Sequence, residues 1–270
     1  MKKILTVLLM TCLFFSCSSI KHENIFHYSS FNGNNINFYF QNRPTSVEII
    51  ELENIYINLL HYLENNLCLS VKKGNVNLAI LPEENNVCDF EKRRTSAFCY
   101  TDRRNIYLLD FNNVSKKNII KYGPPPENIL QSAFTHELTH VFTMPVIEFS
   151  KKTYMQERLA NFCSLINFKN NDLLLYKDNE DYLTEDLVQI FTKERIQILT
   201  KDGITKLIPN NSYEVVYFML YLHQDKKYDL LKSLILAEDF SDFVDQNNWD
   251  TNDTMKFIYW IKEKSERKDF

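Results

Sequence analysis

The stretch Ala-Phe-Thr-His-Glu-Leu-Thr-His-Val, residues 133–141, decides how the rest of the chain is interpreted. It contains the pattern His-Glu-x-x-His within an apolar periodicity that is typical of a helix. Residues four apart lie on the same helix face, so His136 and His140 can bind one zinc ion together. Glu137 projects about a third of a turn away, where it can accept a proton from a water activated by the metal. The sequence predicts one Zn²⁺ ion and a general base; two helix histidines without a metal are the alternative.

A catalytic zinc site needs a third protein ligand beside an open coordination position. Val146 stands where the metzincin spacing would place a third histidine, and only His223 lies further downstream. His223 ends an apolar helix pattern and is interpreted as a polar residue near a helix C-terminus rather than a ligand. Glu157 lies at the start of the next predicted helix and is the predicted third ligand. The alternatives are Glu148 as the ligand, and Glu157 as a first-turn acid stabilised by the helix dipole.

The remaining pattern predicts a small sheet followed by helices. Strand patterns cover 36–40, 76–81 and 105–111, and residues 83–104 are predicted to be irregular. Helical periodicity covers 47–67, 127–143, 153–168, 183–199, 212–223, 226–246 and 252–265. We therefore expect 35–270 to form a single α+β domain. Its small N-terminal mixed sheet, with an edge strand over the zinc-binding helix, would precede a mostly helical C-terminal half.

The first residues predict export. A basic start is followed by an apolar run over 4–15, which is too short to span a bilayer. Residues 13–19, Leu-Phe-Phe-Ser-Cys-Ser-Ser, resemble a bacterial lipobox, although Phe14 stands where leucine is usual. We expect a signal peptide with lipobox over 1–17, a lipid on Cys17 and a polar tether over 18–34. The mature chain would be a membrane-anchored lipoprotein on the periplasmic side or at the cell surface; an ordinary signal peptide is the alternative.

An exported chain can form disulfides. Cys68, Cys88, Cys99 and Cys163 follow the lipobox cysteine. Cys88 and Cys99 flank a short polar loop and are the favoured pair, but four cysteines allow three pairings, and free buried thiols are the alternative.

The charge pattern and the missing motifs disfavour nucleic-acid binding, nucleotide chemistry and serine hydrolysis. The net charge is −4 and no long basic stripe is present, so the sequence does not predict a nucleic-acid partner. No Gly-rich phosphate loop and no Gly-x-Ser-x-Gly elbow occurs, which disfavours nucleotide chemistry and serine hydrolysis.

Three blocks of the sequence resemble the gluzincin zinc metallopeptidases, which include thermolysin-like and aminopeptidase-N-like enzymes and compact peptidase-MA-like domains. The first block is 133–141. The second, Tyr-Met-Gln-Glu-Arg-Leu-Ala at 154–160, is similar to the Trp-x-x-Glu-Gly-x-Ala segment that carries the third ligand. The third, 212–222, is similar to a segment whose tyrosine stabilises the oxyanion. The resemblance implies a thermolysin-like fold, a peptide or protein substrate, and Tyr213 as the oxyanion donor. Tyr217 is the substitute, and core packing is the alternative for both tyrosines.

Departures from the gluzincin pattern narrow the expected activity. Arg158 stands where glycine is usual, which would add bulk or charge to the cleft. No Gly-x-Met-Glu-Asn segment precedes the zinc helix, so the resemblance favours an endopeptidase over an aminopeptidase. The strand 105–111 corresponds to the edge strand that pairs with an extended peptide in gluzincins. A lipoprotein that keeps the metal but acts as a binding module, and a zinc hydrolase of another substrate class, are the competing hypotheses.

Overall fold

The structure, a computed structural model, describes residues 26–29, 35–40, 42–81, 97–100, 104–109, 129–144, 149–166, 168, 187–207 and 212–265. The strands in these ranges are β1 (Phe26–Ser29), β2 (Ile36–Phe40), β3 (Val76–Leu81), β4 (Ala97–Tyr100) and β5 (Asn105–Leu109). The helices are α1 (Ser46–His61), α2 (Ile129–Thr143), α3 (Phe149–Ser164), α4 (Lys193–Asp202), α5 (Ser212–Gln224), α6 (Tyr228–Leu236), α7 (Phe240–Asn247) and α8 (Thr251–Ser265). The predicted α+β class is confirmed.

The chain divides into two compact units. The sheet unit comprises Met1–Ile49 and Asn75–Leu130, and the helical unit comprises Ile50–Gly74 and Gln131–Phe270. Both units are assembled from separate stretches of sequence, so each depends on contacts between residues that are far apart in the chain.

The sheet unit contains a five-stranded mixed sheet in the order β1-β2-β3-β5-β4. The three central strands are parallel, and both edge strands pair antiparallel to their neighbours. Alternate side chains of the central strands are buried, as the period of two in a half-buried strand requires. The buried residues are Ile36, Phe38, Phe40, Val76, Leu78, Ile80, Ile106 and Leu108. The predicted small mixed sheet is confirmed, but the expectation that the strand 105–111 lies at its edge is wrong, because β5 pairs with β3 on one side and with β4 on the other.

A row of three asparagines crosses the parallel strands. Asn37, Asn77 and Asn105 occupy paired positions on β2, β3 and β5. Asn37 Nδ2 donates to Asn77 Oδ1 at 3.1 Å, and Asn77 Nδ2 donates to Asn105 Oδ1 at 2.9 Å. A slip of one residue would turn an asparagine toward the buried face, so this row helps to fix the register of the sheet.

Both edge strands were missed by the sequence analysis. β1 lies inside the stretch 18–34 that was predicted as a tether, and β4 lies inside the stretch 83–104 that was predicted to be irregular. Each contains only four residues, which is too short for an alternating pattern to stand out. Their conformation is stabilised by pairing with β2 and β5 instead.

The helices follow the predicted pattern with local corrections. The predictions over 127–143, 212–223 and 252–265 correspond to α2, α5 and α8. The single helix predicted over 226–246 is wrong, because the chain breaks there into α6 and α7. Asp239 caps the second of these helices, its side chain accepting a hydrogen bond from the Asp242 backbone N–H at 2.9 Å. The pattern over 47–67 forms α1 and then a π-helical turn, Tyr62–Asn66.

The core of the helical unit is rich in aromatic side chains. Phe218 is fully buried near the middle of α5, and five aromatic rings lie 5.0–6.3 Å from its own. They belong to Tyr221, Phe240, Phe243, Trp249 and Phe257. Edge-to-face and stacked pairs of this kind add to the stability that burial provides. This core fixes α5 against α7 and α8.

Residues 1–25, with the predicted signal peptide and Cys17, lie outside the described ranges. Among the helices that the structure describes, none has both the length and the apolar character needed to cross a membrane.

Candidate metal centre

Helices α2 and α3 form an antiparallel pair in the helical unit. Ser132, near the start of α2, donates its hydroxyl to the carbonyl of Ser164 at the end of α3, at 3.2 Å. His140, near the end of α2, lies 3.4 Å from a carboxylate oxygen of Glu157 near the middle of α3. The start of α2 thus contacts the end of α3, and the end of α2 contacts an earlier part of α3. This arrangement places the histidines of α2 opposite Glu157.

Three side chains converge between these helices. The Nε2 atoms of His136 and His140 are 3.2 Å apart. Glu157 Oε2 is 3.6 Å from Nε2 of His136, and Glu157 Oε1 is 3.4 Å from Nε2 of His140. Such a group could hold a metal ion, and the described residues contain no second group of three or more His, Cys, Asp or Glu side chains this close together. The structure therefore brings together all three predicted ligands.

The site has a buried side and an open side. The His140 side chain is 5% exposed and that of His136 is 22% exposed, whereas the Glu157 side chain is 57% exposed. The imidazoles are consequently held by the packed helix, while solvent can reach the site past the carboxylate. A metal-dependent reaction needs this combination of rigid ligands and an accessible face.

Burial sets the protonation state of the donors. Burial and, to a smaller extent, the neighbouring His140 lower the pKa of His136 to about 4, although Glu157 and the hydrogen bond with the Asn161 side chain act in the opposite direction. The hydrogen bond with His140 lowers the pKa of Glu157, against the effect of partial burial. At neutral pH, His136 is therefore a neutral imidazole and Glu157 a carboxylate. These are the forms that bind a metal.

The two imidazoles differ in their outer contacts. Asn161, one helical turn after Glu157, forms a side-chain hydrogen bond with His136. Nδ1 of His140 is buried and has no hydrogen-bond partner among the described residues. His136 thus has a hydrogen bond with Asn161 that helps to orient it, whereas Nδ1 of His140 is surrounded by packed side chains. The Asn161 contact was not predicted from the sequence, although the spacing of four residues between Glu157 and Asn161 places both on one face of α3.

A row of buried threonines runs along α2 beside the ligands. Thr135, Thr139 and Thr143 are buried and recur every four residues. Each hydroxyl donates to the backbone carbonyl one turn earlier, at 2.7–2.8 Å. Thr139 also forms a hydrogen bond with the Cys163 side chain on α3. Burial raises the pKa of that thiol to about 12, so it stays neutral and acts as a packing group between the two helices.

The predicted general base and oxyanion donor lie on two different helices. Glu137 is buried on α2 directly after His136. Tyr213 lies in the first turn of α5 and is 52% exposed. Its substitute, Tyr217, is buried, and its ring lies 6.4 Å from that of Phe191. Since α5 packs against α3, the helix that carries Tyr213 is supported by the helix that carries Glu157. Exposure favours Tyr213 over Tyr217 as a group that can meet a ligand.

Two other predicted features are found in the interior. His223 is buried, and its Nδ1 lies 2.9 Å from the hydroxyl of Tyr62 on the π-helical turn. It lies in the last turn of α5 and is no part of the metal group. Arg158 is almost fully buried although its neighbour Glu157 is exposed. Arg158 therefore adds volume to the core rather than charge to the open side of the site.

Several predictions fall outside the described residues. These are the reserve ligand Glu148, the lipidation site Cys17 and the cysteine Cys88. The Cys88–Cys99 disulfide thus stays a prediction. Cys68 and Cys163 are free thiols.

The arrangement as a whole offers two nitrogen donors and one carboxylate, with a buried acid beside them and an open face. No protein-family model matches the chain, and no curated protein matches it.

Proposed function

We propose that this chain is a zinc-dependent peptidase of the gluzincin class. We further propose that it acts as an endopeptidase on peptides or proteins at the cell envelope. The convergence of His136, His140 and Glu157 within 3.2–3.6 Å carries the proposal. Two ligands from His-Glu-x-x-His and a glutamate from the following helix form the donor set that the resemblance implies. The lack of a segment that would bind a substrate amino terminus favours internal cleavage.

Zinc fits the spacing of the donor atoms. Ligands about 2.0–2.1 Å from a tetrahedral zinc ion lie about 3.3–3.4 Å from one another. The two imidazole nitrogens are 3.2 Å apart, close to that value, and each lies 3.4–3.6 Å from a different oxygen of the Glu157 carboxylate. Two imidazoles and one carboxylate also serve non-haem Fe(II). The glutamate inside the motif favours zinc, because water activated at zinc needs a neighbouring base.

In the proposed reaction, zinc supplies a Lewis acid that polarises the scissile carbonyl and makes water more acidic. His136, His140 and Glu157 would hold the ion. Glu137 accepts a proton from the attacking water and then delivers it to the leaving amine. The Tyr213 hydroxyl donates a hydrogen bond to the oxygen on which negative charge develops. Glu137 is buried and directly follows the ligand His136 on α2, which supports its role.

The decisive experiment is Glu137→Gln, which keeps the size of the side chain and removes its basicity. We expect zinc to remain stoichiometric while cleavage of a peptide library falls by at least about 10²–10⁴-fold. Glu64→Gln is the matched control, because it makes the same change in a partly exposed ion pair with Lys73 and should leave cleavage unchanged.

The other outcomes of this experiment are equally informative. Stoichiometric zinc without cleavage of any library peptide would favour a binding module or a hydrolase of another substrate class. Iron in place of zinc in the purified protein would contradict the zinc assignment.

Export and lipid attachment at Cys17 complete the proposal. The lipobox-like residues 13–19 support it. Mass spectrometry of the mature N-terminus should find a diacylated cysteine in the natural chain and none in Cys17→Ser. An unprocessed N-terminus in the natural chain would contradict this localisation.

A further inference from the structure

An ion pair adjoins the first turn of the helix that carries Tyr213. Arg195 Nε donates to Glu214 Oε1 at 2.8 Å, and an Nη atom of Arg195 donates to Glu214 Oε2 at 2.9 Å. The Glu214 side chain is 1% exposed and that of Arg195 is mostly buried. A two-point contact between guanidinium and carboxylate fixes both position and orientation, and shielding from water strengthens it.

The same guanidinium also holds the chain that leads to α5. An Nη atom of Arg195 donates to the backbone carbonyl of Lys206 at 2.8 Å. Lys206 ends the 3₁₀ turn Ile204–Lys206, which precedes α5 in the chain. One side chain thus connects α4, the 3₁₀ turn and the first turn of α5. Arg195 is itself anchored, because its backbone N–H donates to the Thr192 side chain that caps α4.

The part of the chain that the structure describes gives Tyr213 little other support. The residue is 52% exposed, so packing against the described residues covers only about half of it. The next residue, Glu214, points into the interior from the same turn. Successive residues on a helix differ by about 100° in direction, so anchoring Glu214 sets the direction in which Tyr213 leaves the helix.

We propose that Arg195 and Glu214 are positioning residues that hold Tyr213 where its hydroxyl can stabilise the oxyanion; the inference rests on the proposed peptidase function. The pair acts through the backbone of the first turn of α5. Displacing a catalytic group by about 1 Å costs up to about 10²-fold in rate. Loss of the pair should accordingly lower kcat and leave KM nearly unchanged, since substrate binding does not depend on the oxyanion contact.

A double-mutant cycle on the zinc-loaded protein tests this coupling. Tyr213→Phe should lower kcat about 10²–10³-fold. Glu214→Gln should lower kcat about 10–10²-fold alone, but cause little further loss when Tyr213→Phe is already present. Arg195→Lys retains the charge but not the two-point contact, and should repeat this result if Glu214→Gln does not fold. Lys256→Gln, which removes the exposed ion pair with Asp253, is the matched control and should not change kcat.

A spectroscopic measurement tests the positioning without relying on activity. The chain is labelled with 3-fluorotyrosine, and the Tyr213 signal is assigned as the one that is missing from Tyr213→Phe. We expect this ¹⁹F signal to move toward the position of free fluorotyrosine in Glu214→Gln and Arg195→Lys. It should remain in place in Lys256→Gln.

The outcomes separate this inference from the proposed function. An equal loss of kcat with and without Tyr213, or an unmoved ¹⁹F signal, overturns the positioning role. If Glu137→Gln abolishes cleavage but Tyr213→Phe does not slow it, the peptidase proposal stands and this inference is wrong. If the zinc-loaded protein cleaves no peptide, the peptidase proposal fails, and the ¹⁹F signal alone decides whether the pair holds Tyr213.

Discussion

Acid should destabilise the metal-stripped protein through His136 in particular. In the unfolded chain a histidine binds a proton near pH 6.5. In the folded chain, burial beside His140 lowers the pKa of His136 to about 4. Between these values the unfolded state binds more protons than the folded state, so the free energy of unfolding decreases as the pH falls. The contribution of His136 is complete above about pH 6.5 and is lost on the way to pH 4.

The size of this effect follows from the two pKa values. A difference of one pKa unit corresponds to about 1.4 kcal/mol, so lowering the pH from 7 to 4 should cost about 3 kcal/mol through this residue. The His136→Gln variant has no titratable group at this position. Between pH 7 and pH 4 its free energy of unfolding should therefore fall by about 3 kcal/mol less than that of the natural chain. The comparison between the two proteins cancels most of the titration of other groups.

Urea titrations in the presence of a chelator, at pH 7, 5.5 and 4, measure this difference. Trp249 and Trp260 are buried in the helical unit, so their fluorescence reports its unfolding. His61→Gln is the control, because His61 is exposed at the end of α1 and its variant should behave as the natural chain does. Equal pH dependence in His136→Gln and the natural chain would refute the burial argument.

Added zinc should stabilise the natural chain most at pH 7, because protons compete for the same nitrogen at lower pH.

Three further substitutions test the ligand set and the core. Glu157→Gln should lose stoichiometric zinc in elemental analysis, but shift the melting temperature of the stripped protein by only about 2 °C, because the side chain is largely exposed. Asn161→Ala should weaken zinc binding about 10–100-fold in a chelator competition, and unchanged affinity would mean that its hydrogen bond does not orient His136. Phe218→Ala should lower the free energy of unfolding by about 3–5 kcal/mol, and a loss below about 1 kcal/mol would contradict its central place in the core.

The ligand residues could be predicted because their relationship is local. The spacing of His136 and His140 is a property of any helix, and a helix was predictable from the apolar residues between Pro126 and Pro145. Glu157 could be predicted because only one histidine follows His140, which calls for a carboxylate, and a second helix begins nearby. The hydrogen bond between Asn161 and His136 could not, since it depends on how far the two helices are rotated about their own axes.

The missed parts of the fold depend on partners distant in sequence. β1 and β4 are strands because β2 and β5 lie beside them, and their own four residues do not specify that state. The break between α6 and α7 was visible as Asp239, but the apolar periodicity on both sides suggested one helix. The π-helical turn coincides with the buried contact between Tyr62 and His223, a pairing of residues that no local pattern reveals.

The three donors come from consecutive helices of one antiparallel pair, and this has a consequence for how the protein acquires its ion. A cation that cross-links positions close in the sequence removes only a little entropy from the unfolded chain. The polypeptide should therefore reach its folded form without metal. Loading can then follow as a separate event, controlled by the metal supply wherever the finished protein resides.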